Sequence, residues 1–360
     1  MKIALVYDRV NKWGGAERVL LVLHELFPDA PLFTSLYDEN KAQWAKVFPA
    51  VIPSFLQKLP KVKSHHEFLA IFMPFAFESI NFRKFDLVIS VSSEAAKGII
   101  TTPGTVHICY CLTPTRYLWS HYKDYFKGRL IKAISEIPVN YLKRWDRAVA
   151  QRPDIIVAIS TEVKNRIKKY YHRDSRIIFP PVEISTFYSP ESLLPYGNRK
   201  YFLIVSRLVP YKKVDMAIKA FNKLGYPLMI VGTGSEEKKL KKLAKRNIVF
   251  KSLVSEEELP SLYRKAKCFI MPQEEDFGIT CVEAQASGVP VIAYKKGGAL
   301  DTVVEGKTGL FFTNPTADSI VDAVKRFDRM RFKTENIIGN AKRFSKEEFT
   351  KNILSLINKL

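Results

Sequence analysis

The sequence predicts an α/β protein of two domains, each organised around a parallel sheet. Three observations carry this. Short, nearly continuous apolar runs alternate with amphipathic helical stretches along nearly the whole chain. The alternation breaks once, at 180–200, a stretch with four prolines and no periodicity, and then restarts. A chain of 360 residues also exceeds what one hydrophobic core ordinarily organises. Continuous apolar strands are buried on both faces, as in a parallel sheet covered by helices. The βαβα order argues an open, doubly wound sheet.

In the first half, strands are expected at 3–7, 32–36, 87–91, 107–111, 155–159 and 176–179, each rich in Val, Ile and Phe. Helical spacing fits 16–26, 94–100, 129–150 and 162–171. After the break, strands are expected at 201–205, 227–231, 248–250, 268–271, 289–294 and 310–312. Helices fit 214–224, 236–245, 256–266, 280–287, 317–329, 334–343 and 346–359. The division that follows is a domain at 1–182, a linker at 183–200, a domain at 201–343 and a terminal helical segment at 344–360. In open parallel sheets ligands bind beyond the carboxyl ends of the strands, so a cleft between two such domains is the default site.

Composition narrows the function classes. Hydrophobic residues at 47 % and charged residues at 26 % exclude intrinsic disorder. The formal net charge of +21 implies an anionic partner: nucleic acid, a membrane surface or a phosphate-bearing substrate. Residues 101–250 hold 28 basic and 11 acidic side chains, a net of +17, so the charge is no terminal arm. Four cysteines (Cys109, Cys111, Cys268, Cys281) without a Cys-x-x-Cys form no disulfide framework and read as thiols in a reducing compartment. The opening MKIALVYDRV reads as a buried strand rather than a signal peptide. The longest apolar stretch, 68–77, is interrupted by Pro74 and falls short of the roughly 20 residues of a spanning helix. A cytoplasmic protein, at most peripheral on the inner face of the membrane, is expected.

The residues that suggest chemistry follow strands. Trp13-Gly14-Gly15-Ala16-Glu17 opens the first helix, either as a backbone approach to an anion or as a tight turn with Glu17 on the helix dipole. Arg207 and Lys212 flank a Pro-bearing turn, a planar fork and a point charge suited to a diphosphate, or two solvated cations. Gly232-Thr233-Gly234 lacks the third glycine of a dinucleotide fingerprint and reads as a turn near a ligand. The strongest signal is 275–283, where Glu275 stands in a loop and Glu283 in the first turn of the next helix. N–H groups around Ile279 and Thr280 then suit a phosphate, or the pair is an acidic cap beside an unrelated glutamate.

Together these residues, with the later turn Gly297-Gly298, resemble family-four retaining glycosyltransferases of the GT-B fold. That fold has two Rossmann-like domains whose parallel sheets face a central cleft. The segment 107–119 (HICYCLTPTRYLW) is similar to mannosyltransferases that build O-antigen or other surface polysaccharides. The resemblance implies that Arg207 and Lys212 neutralise the donor diphosphate and Glu283 binds the ribose. Glu275, with the backbone of Phe277, Gly278 and Ile279, would hold the donor sugar; Val254 lies in the segment similar to the base-binding one. Gly15 would approach the phosphate or the acceptor, and the sugar or acceptor side would include Gly14, Leu112, Thr113 and Arg116. The final helix would cross back to the first domain. One departure stands out: Leu112 occupies the position where the family commonly has a histidine before Thr-Pro.

The implied reaction is metal-independent transfer of a hexose, mannose favoured, from a nucleotide diphosphate sugar, with GDP-mannose as the favoured donor. The anomeric configuration is retained and the acceptor is lipid-linked or polysaccharide, for cell-surface glycan synthesis such as lipopolysaccharide. Basic faces at 127–147 and 164–176 would meet an anionic membrane or a lipid diphosphate; the run 238–246 fits a solvated helix face. Two rival readings remain. One is a catalytically impaired GT-B protein acting as an assembly partner, which Leu112 motivates. The other is a nucleic-acid-binding protein, which the charge permits but for which no reading element or aromatic basic platform is seen.

Overall fold

The structure, a computed structural model, describes residues 1–59, 70–120, 122, 129–189, 199–252 and 254–360, and the side chains of 129–134 lie outside that description. Parts of the stretches 68–77, 127–147, 183–200 and 251–254 therefore fall outside the described residues. The chain forms two compact units, Met1–Phe179 and Pro180–Leu360.

The first unit holds a seven-stranded parallel sheet. Its strands are β1 (Ile3–Tyr7), β2 (Leu32–Thr34), β3 (Val51–Pro53), β4 (Leu87–Ser92), β5 (Val106–Cys111), β6 (Ile155–Ala158) and β7 (Arg176–Ile177), in the order 3-2-1-4-5-6-7. Leu5 stands opposite both Leu32 and Ile89. Every residue of β4 is buried, Ser90 and Ser92 included, as in a strand covered on both faces. The order reverses between β1 and β4, so the crevice at their carboxyl ends is a natural ligand position.

The second unit holds β8 (Tyr201–Val205), β9 (Leu228–Val231), β10 (Ile248–Lys251), β11 (Ala266–Met271), β12 (Val291–Tyr294) and β13 (Gly309–Phe312), all parallel, in the order 10-9-8-11-12-13. Here the order reverses between β8 and β11. On one side the helices Val214–Leu224 and Ala317–Asp328 close over an aromatic core. In it Phe202 meets Phe221 edge-on at 5.1 Å. The helix Ile279–Ala286 packs against Thr334–Lys342, and Asn340 donates to Gln285 Oε1 at 2.7 Å, satisfying two buried amides together.

Some elements differ from the sequence expectation. The helix expected at 94–100 is only a 3-10 turn, Ala96–Gly98. The Asp8 carboxylate is the cause: it accepts the backbone N–H groups of Ser93, Glu94, Ala95 and Ala96 at 2.6–3.0 Å, fixing this backbone as an anion nest. The stretch 183–200, expected as linker, contains the helix Ile184–Phe187. Phe187 is buried there, edge-on to Tyr263 at 5.6 Å, and its carbonyl accepts Ser287 Oγ at 3.3 Å. Among the elements not expected are the strand Val51–Pro53, short and Pro-ended as edge strands are, the helix Met73–Glu78 with Pro74 in its first turn, and the short helix Ala299–Thr302.

All four cysteines are buried and unpaired. His107 lies inside β5, with Nε2 2.8 Å from Ser90 Oγ. Burial, with a smaller push from Arg152, lowers its pKa to about 3. A depressed folded-state pKa means stability present above the ordinary value near 6.5 and lost as pH falls toward 3. Replacing His107 with Gln should flatten that acid limb: the urea midpoint should fall less between pH 7 and pH 4 than in the parent chain. An equal fall in both would refute the assignment.

Candidate functional site

In the second unit the residues singled out by sequence stand at the carboxyl ends of the strands. Arg207 and Lys212 follow β8, Gly232 follows β9, Val254 follows β10, and Glu275 follows β11. Two close backbone approaches build this edge. At Gly232 (φ 134°) an added Cβ would lie 2.0 Å from the Ser206 carbonyl oxygen, and at Gly298 one would lie 2.3 Å from Phe277 Cα. Gly298 N–H donates to the Glu275 carbonyl at 2.8 Å, tying the turn after β12 to the loop after β11. Thr233 accepts Leu208 N–H at 2.8 Å, so the Gly-Thr-Gly turn clamps the loop that carries Arg207.

That clamp gives a prediction. Gly298→Ala forces its methyl into backbone, which no side-chain rotation relieves. We expect a loss of about 3 kcal/mol or more, read as a fall in Tm of roughly 6–12 °C for a unit of this size. A Tm within 2 °C of the parent would show that the two loops move apart freely.

Lys212 Nζ forms an ion pair with Glu275 Oε1, and Gln273 Nε2 donates to the same oxygen at 2.7 Å. Lys212 also lies over the Tyr211 ring, 5.2 Å from its centroid. Arg207 is exposed and donates from Nη2 to the Tyr211 hydroxyl at 2.6 Å. The helix Ile279–Ala286 begins after Gly278, which sits in the left-handed region at φ 93°. The half-buried Ile279 and Thr280 form its first turn, a stretch where backbone N–H groups lack intrahelical partners. The Phe277 side chain turns into the core, edge-on to Phe344 at 5.4 Å, leaving its backbone to face the site edge.

Glu283 is not brought to Glu275. It is 2 % exposed and accepts the Tyr263 hydroxyl at 2.9 Å. Val254 is half-buried, and Lys251 nearby pairs with Glu258. Gln273, Tyr211 and Tyr263 carry this geometry and were not singled out by sequence: Gln273 and Tyr211 act within their own loops, on Glu275 and on Arg207 and Lys212, whereas Tyr263 reaches Glu283 from another helix.

In the first unit, Gly14 has extended backbone, and Glu17 is buried with its Oε1 accepting the Tyr7 hydroxyl at 2.6 Å. Glu17 therefore ties the first helix to the end of β1. Leu112 N–H donates to the Ser92 carbonyl at 2.8 Å, extending the β4–β5 ladder by one residue. Thr113 is buried and Arg116 half-buried. Behind them Asp146 is 1 % exposed and accepts four donors. These are Lys97 Nζ at 2.6 Å, Thr115 Oγ1 at 2.9 Å, Trp119 Nε1 at 2.7 Å and the Tyr171 hydroxyl at 2.8 Å.

A basic aromatic cluster that the sequence did not disclose also forms here. Trp119 stacks on Tyr170 at 5.1 Å, with Arg147 5.3 Å and Lys143 6.0 Å from the indole centroid. Its members lie up to 51 residues apart. The indole is engaged by Tyr170 and Arg147. On the helix Glu237–Leu243, Lys241 pairs with Glu237, as a solvated face does. Among the described residues, no helix is long and apolar enough to cross a membrane.

Two parallel-sheet α/β units with their candidate ligand groups at the strand ends define a GT-B type protein. The fold agrees with the crystal structure of Anabaena HepE in complex with UDP, at a TM-score of 0.74, 20 % identity and full coverage of both chains. Residues 188–344 match the family described as glycosyl transferases group 1. A GDP-mannose-dependent alpha-(1-6)-phosphatidylinositol monomannoside mannosyltransferase of Mycolicibacterium smegmatis is 37 % identical over 146 residues, 36 % of this chain and 38 % of that protein. The chain thus spans well under half the length of that relative. An alpha-1,3/1,6-mannosyltransferase of Mus musculus is 23 % identical over 96 % of this chain and 94 % of its own.

Proposed function

We propose that the chain transfers a hexose, mannose favoured, from a nucleotide diphosphate sugar to a lipid-linked or polysaccharide acceptor in cell-surface glycan synthesis, with retained anomeric configuration. The observation that carries this is the Lys212–Glu275 ion pair beside the start of the helix Ile279–Ala286, on an edge pinned by Gly232 and Gly298. The similarity to a GDP-mannose-dependent relative supports GDP-mannose as the donor.

The chemistry follows from charge. Departure of the diphosphate dominates such a step, because an oxocarbenium-like centre forms as negative charge gathers on the leaving oxygen. In this reading Lys212 exchanges Glu275 for the diphosphate, and Arg207 joins it from the same loop. Preorganised cations and backbone N–H groups aimed at that charge contribute several kcal/mol, a role that in this reading calls for no metal. Glu275, released from Lys212 and still held by Gln273, accepts hydroxyls of the donor sugar, and Glu283 accepts the ribose hydroxyls in place of Tyr263. The first unit receives the acceptor. Its basic faces favour an anionic membrane surface on the cytoplasmic side, each cation adding about 1 kcal/mol.

The test is binding and transfer across a panel of nucleotide sugars. GDP-mannose should raise Tm and its mannose should appear in product or, slowly, in water. Transfer and hydrolysis should vanish in Glu275→Ala. A chain that binds GDP-mannose but neither transfers nor hydrolyses it supports the assembly-partner reading that Leu112 motivates. A chain stabilised by RNA and by no sugar nucleotide would sink both.

A further inference from the structure

At the carboxyl ends of β1 and β4 the first unit has a cavity of about 220 Å³, lined by Asp8, Arg9, Asn11, Lys12, Ser93 and Glu94 together with Tyr7. Folding accounts for Asp8, whose carboxylate is filled by backbone N–H groups. It does not account for Arg9 and Glu94. These form an ion pair with side chains 15 % and 23 % exposed, bridging loops 85 residues apart. Arg9 Nε is buried and has no hydrogen-bond partner among the described residues. A buried donor left unmade is costly, and in a cavity wall it marks a place where a ligand acceptor belongs. Burial also pushes the Glu94 carboxyl up, against the pull of Arg9, and such perturbed groups gather at functional sites.

The next residue along the chain, Trp13, is 45 % exposed. It packs against Trp44 at 6.3 Å, and Trp44 is itself pinned by Nε1 donating to the Lys12 carbonyl at 2.7 Å. An indole is thus held at the surface beside Trp44, one residue after Lys12 of the cavity wall.

We propose that this cavity is a carbohydrate site that takes one pyranose ring of the acceptor through its hydroxyls, with Trp13 as the apolar ledge for the ring's C–H face. The assignment to the acceptor rests on the transferase reading above. The chemistry favours a neutral polyol over a phosphate. Arg9 and Lys12 are balanced by Asp8 and Glu94, so the wall carries no net positive charge to draw a phosphate. A guanidinium and a carboxylate side by side instead suit adjacent hydroxyls, which both donate and accept. Asn11 and Ser93 extend that capacity, and the flat indole matches the apolar face of a sugar.

The test uses the full chain with methyl α-mannoside and methyl α-glucoside as probes, read by saturation-transfer NMR, and GDP and UDP as controls. The parent chain should bind at least one glycoside. Trp13→Ala and Asn11→Ala should each weaken it fivefold or more and Glu94→Gln tenfold or more, with nucleotide affinity within twofold of the parent. Trp13 is a surface residue, so its variant guards against loss through misfolding. Absence of glycoside binding in the parent, unchanged binding in the variants, or nucleotide binding lost in step with glycoside binding each overturns the proposal. A parent that binds glycoside but neither nucleotide overturns the transferase reading and leaves the sugar site standing; one that binds nucleotide alone does the reverse.

Discussion

Lys212→Ala should lower sugar transfer about 10²–10³-fold at saturating donor, the loss typical of removing one preorganised group from a developing negative charge. The donor KM should rise as well, since the same ammonium meets the diphosphate in the ground state. Glu275 gives the complementary result. In Glu275→Ala the sugar loses its carboxylate while Lys212 is freed of its partner. Affinity for GDP alone should therefore hold or improve as GDP-mannose turnover collapses. Lys212→Arg should not rescue fully, because a planar fork does not reproduce a point charge over the Tyr211 ring. Steady-state transfer and calorimetric titration with GDP decide this. A Lys212→Ala rate within fivefold of the parent would remove the lysine from the leaving-group site.

The second large effect is on stability. Asp146→Ala leaves the Lys97 ammonium buried, its side chain 3 % exposed, without its carboxylate. Breaking a buried pair from one side costs about 3–5 kcal/mol, and here three further donors, from Thr115, Trp119 and Tyr171, lose their acceptor. We expect the first unit to unfold well below the parent's denaturant midpoint. Burial alone would lower the Lys97 pKa, but Asp146 more than offsets it and the net shift is upward. A raised folded-state pKa gives stability that is complete below the ordinary lysine value near 10.5 and is lost as pH rises beyond it. The parent should therefore lose stability in the alkaline range through this pair, and Asp146→Ala should lack that component. A variant within 1 kcal/mol of the parent in denaturant titration would contradict this reading.

What the sequence disclosed was local, and what it hid was long-range. The strands were legible because β1 and β8 are unbroken apolar runs and β4 and β11 nearly so, interrupted by Ser90, Ser92 and Lys267. The turns at Gly232 and Gly298 were legible because glycine after a strand is a strong local sign. The helix expected at 94–100 failed because its competitor, the Asp8 carboxylate, lies 85 to 88 residues away. The docking of 184–187 was hidden behind prolines that read as linker. At the site, Glu275 and Lys212 were each legible, but not that they pair across 63 residues. Arg9 and Glu94 were passed over, although both follow strands; applying the strand-end rule to every charged residue, rather than to glycine turns alone, would have found them.

Asp8 bears on why two halves of such similar build have unlike jobs. Both sheets share the core order 3-2-1-4-5-6 about their first strand, and in each the order reverses beside that strand, where such sheets take ligands. In the first half the chain supplies its own tethered anion, and the N–H groups of 93–96 are spent on it. In the proposed reading the second unit keeps the corresponding groups, Lys212 and the start of the helix Ile279–Ala286, for an outside phosphate, so one tethered aspartate is what assigns the phosphate to one unit rather than the other.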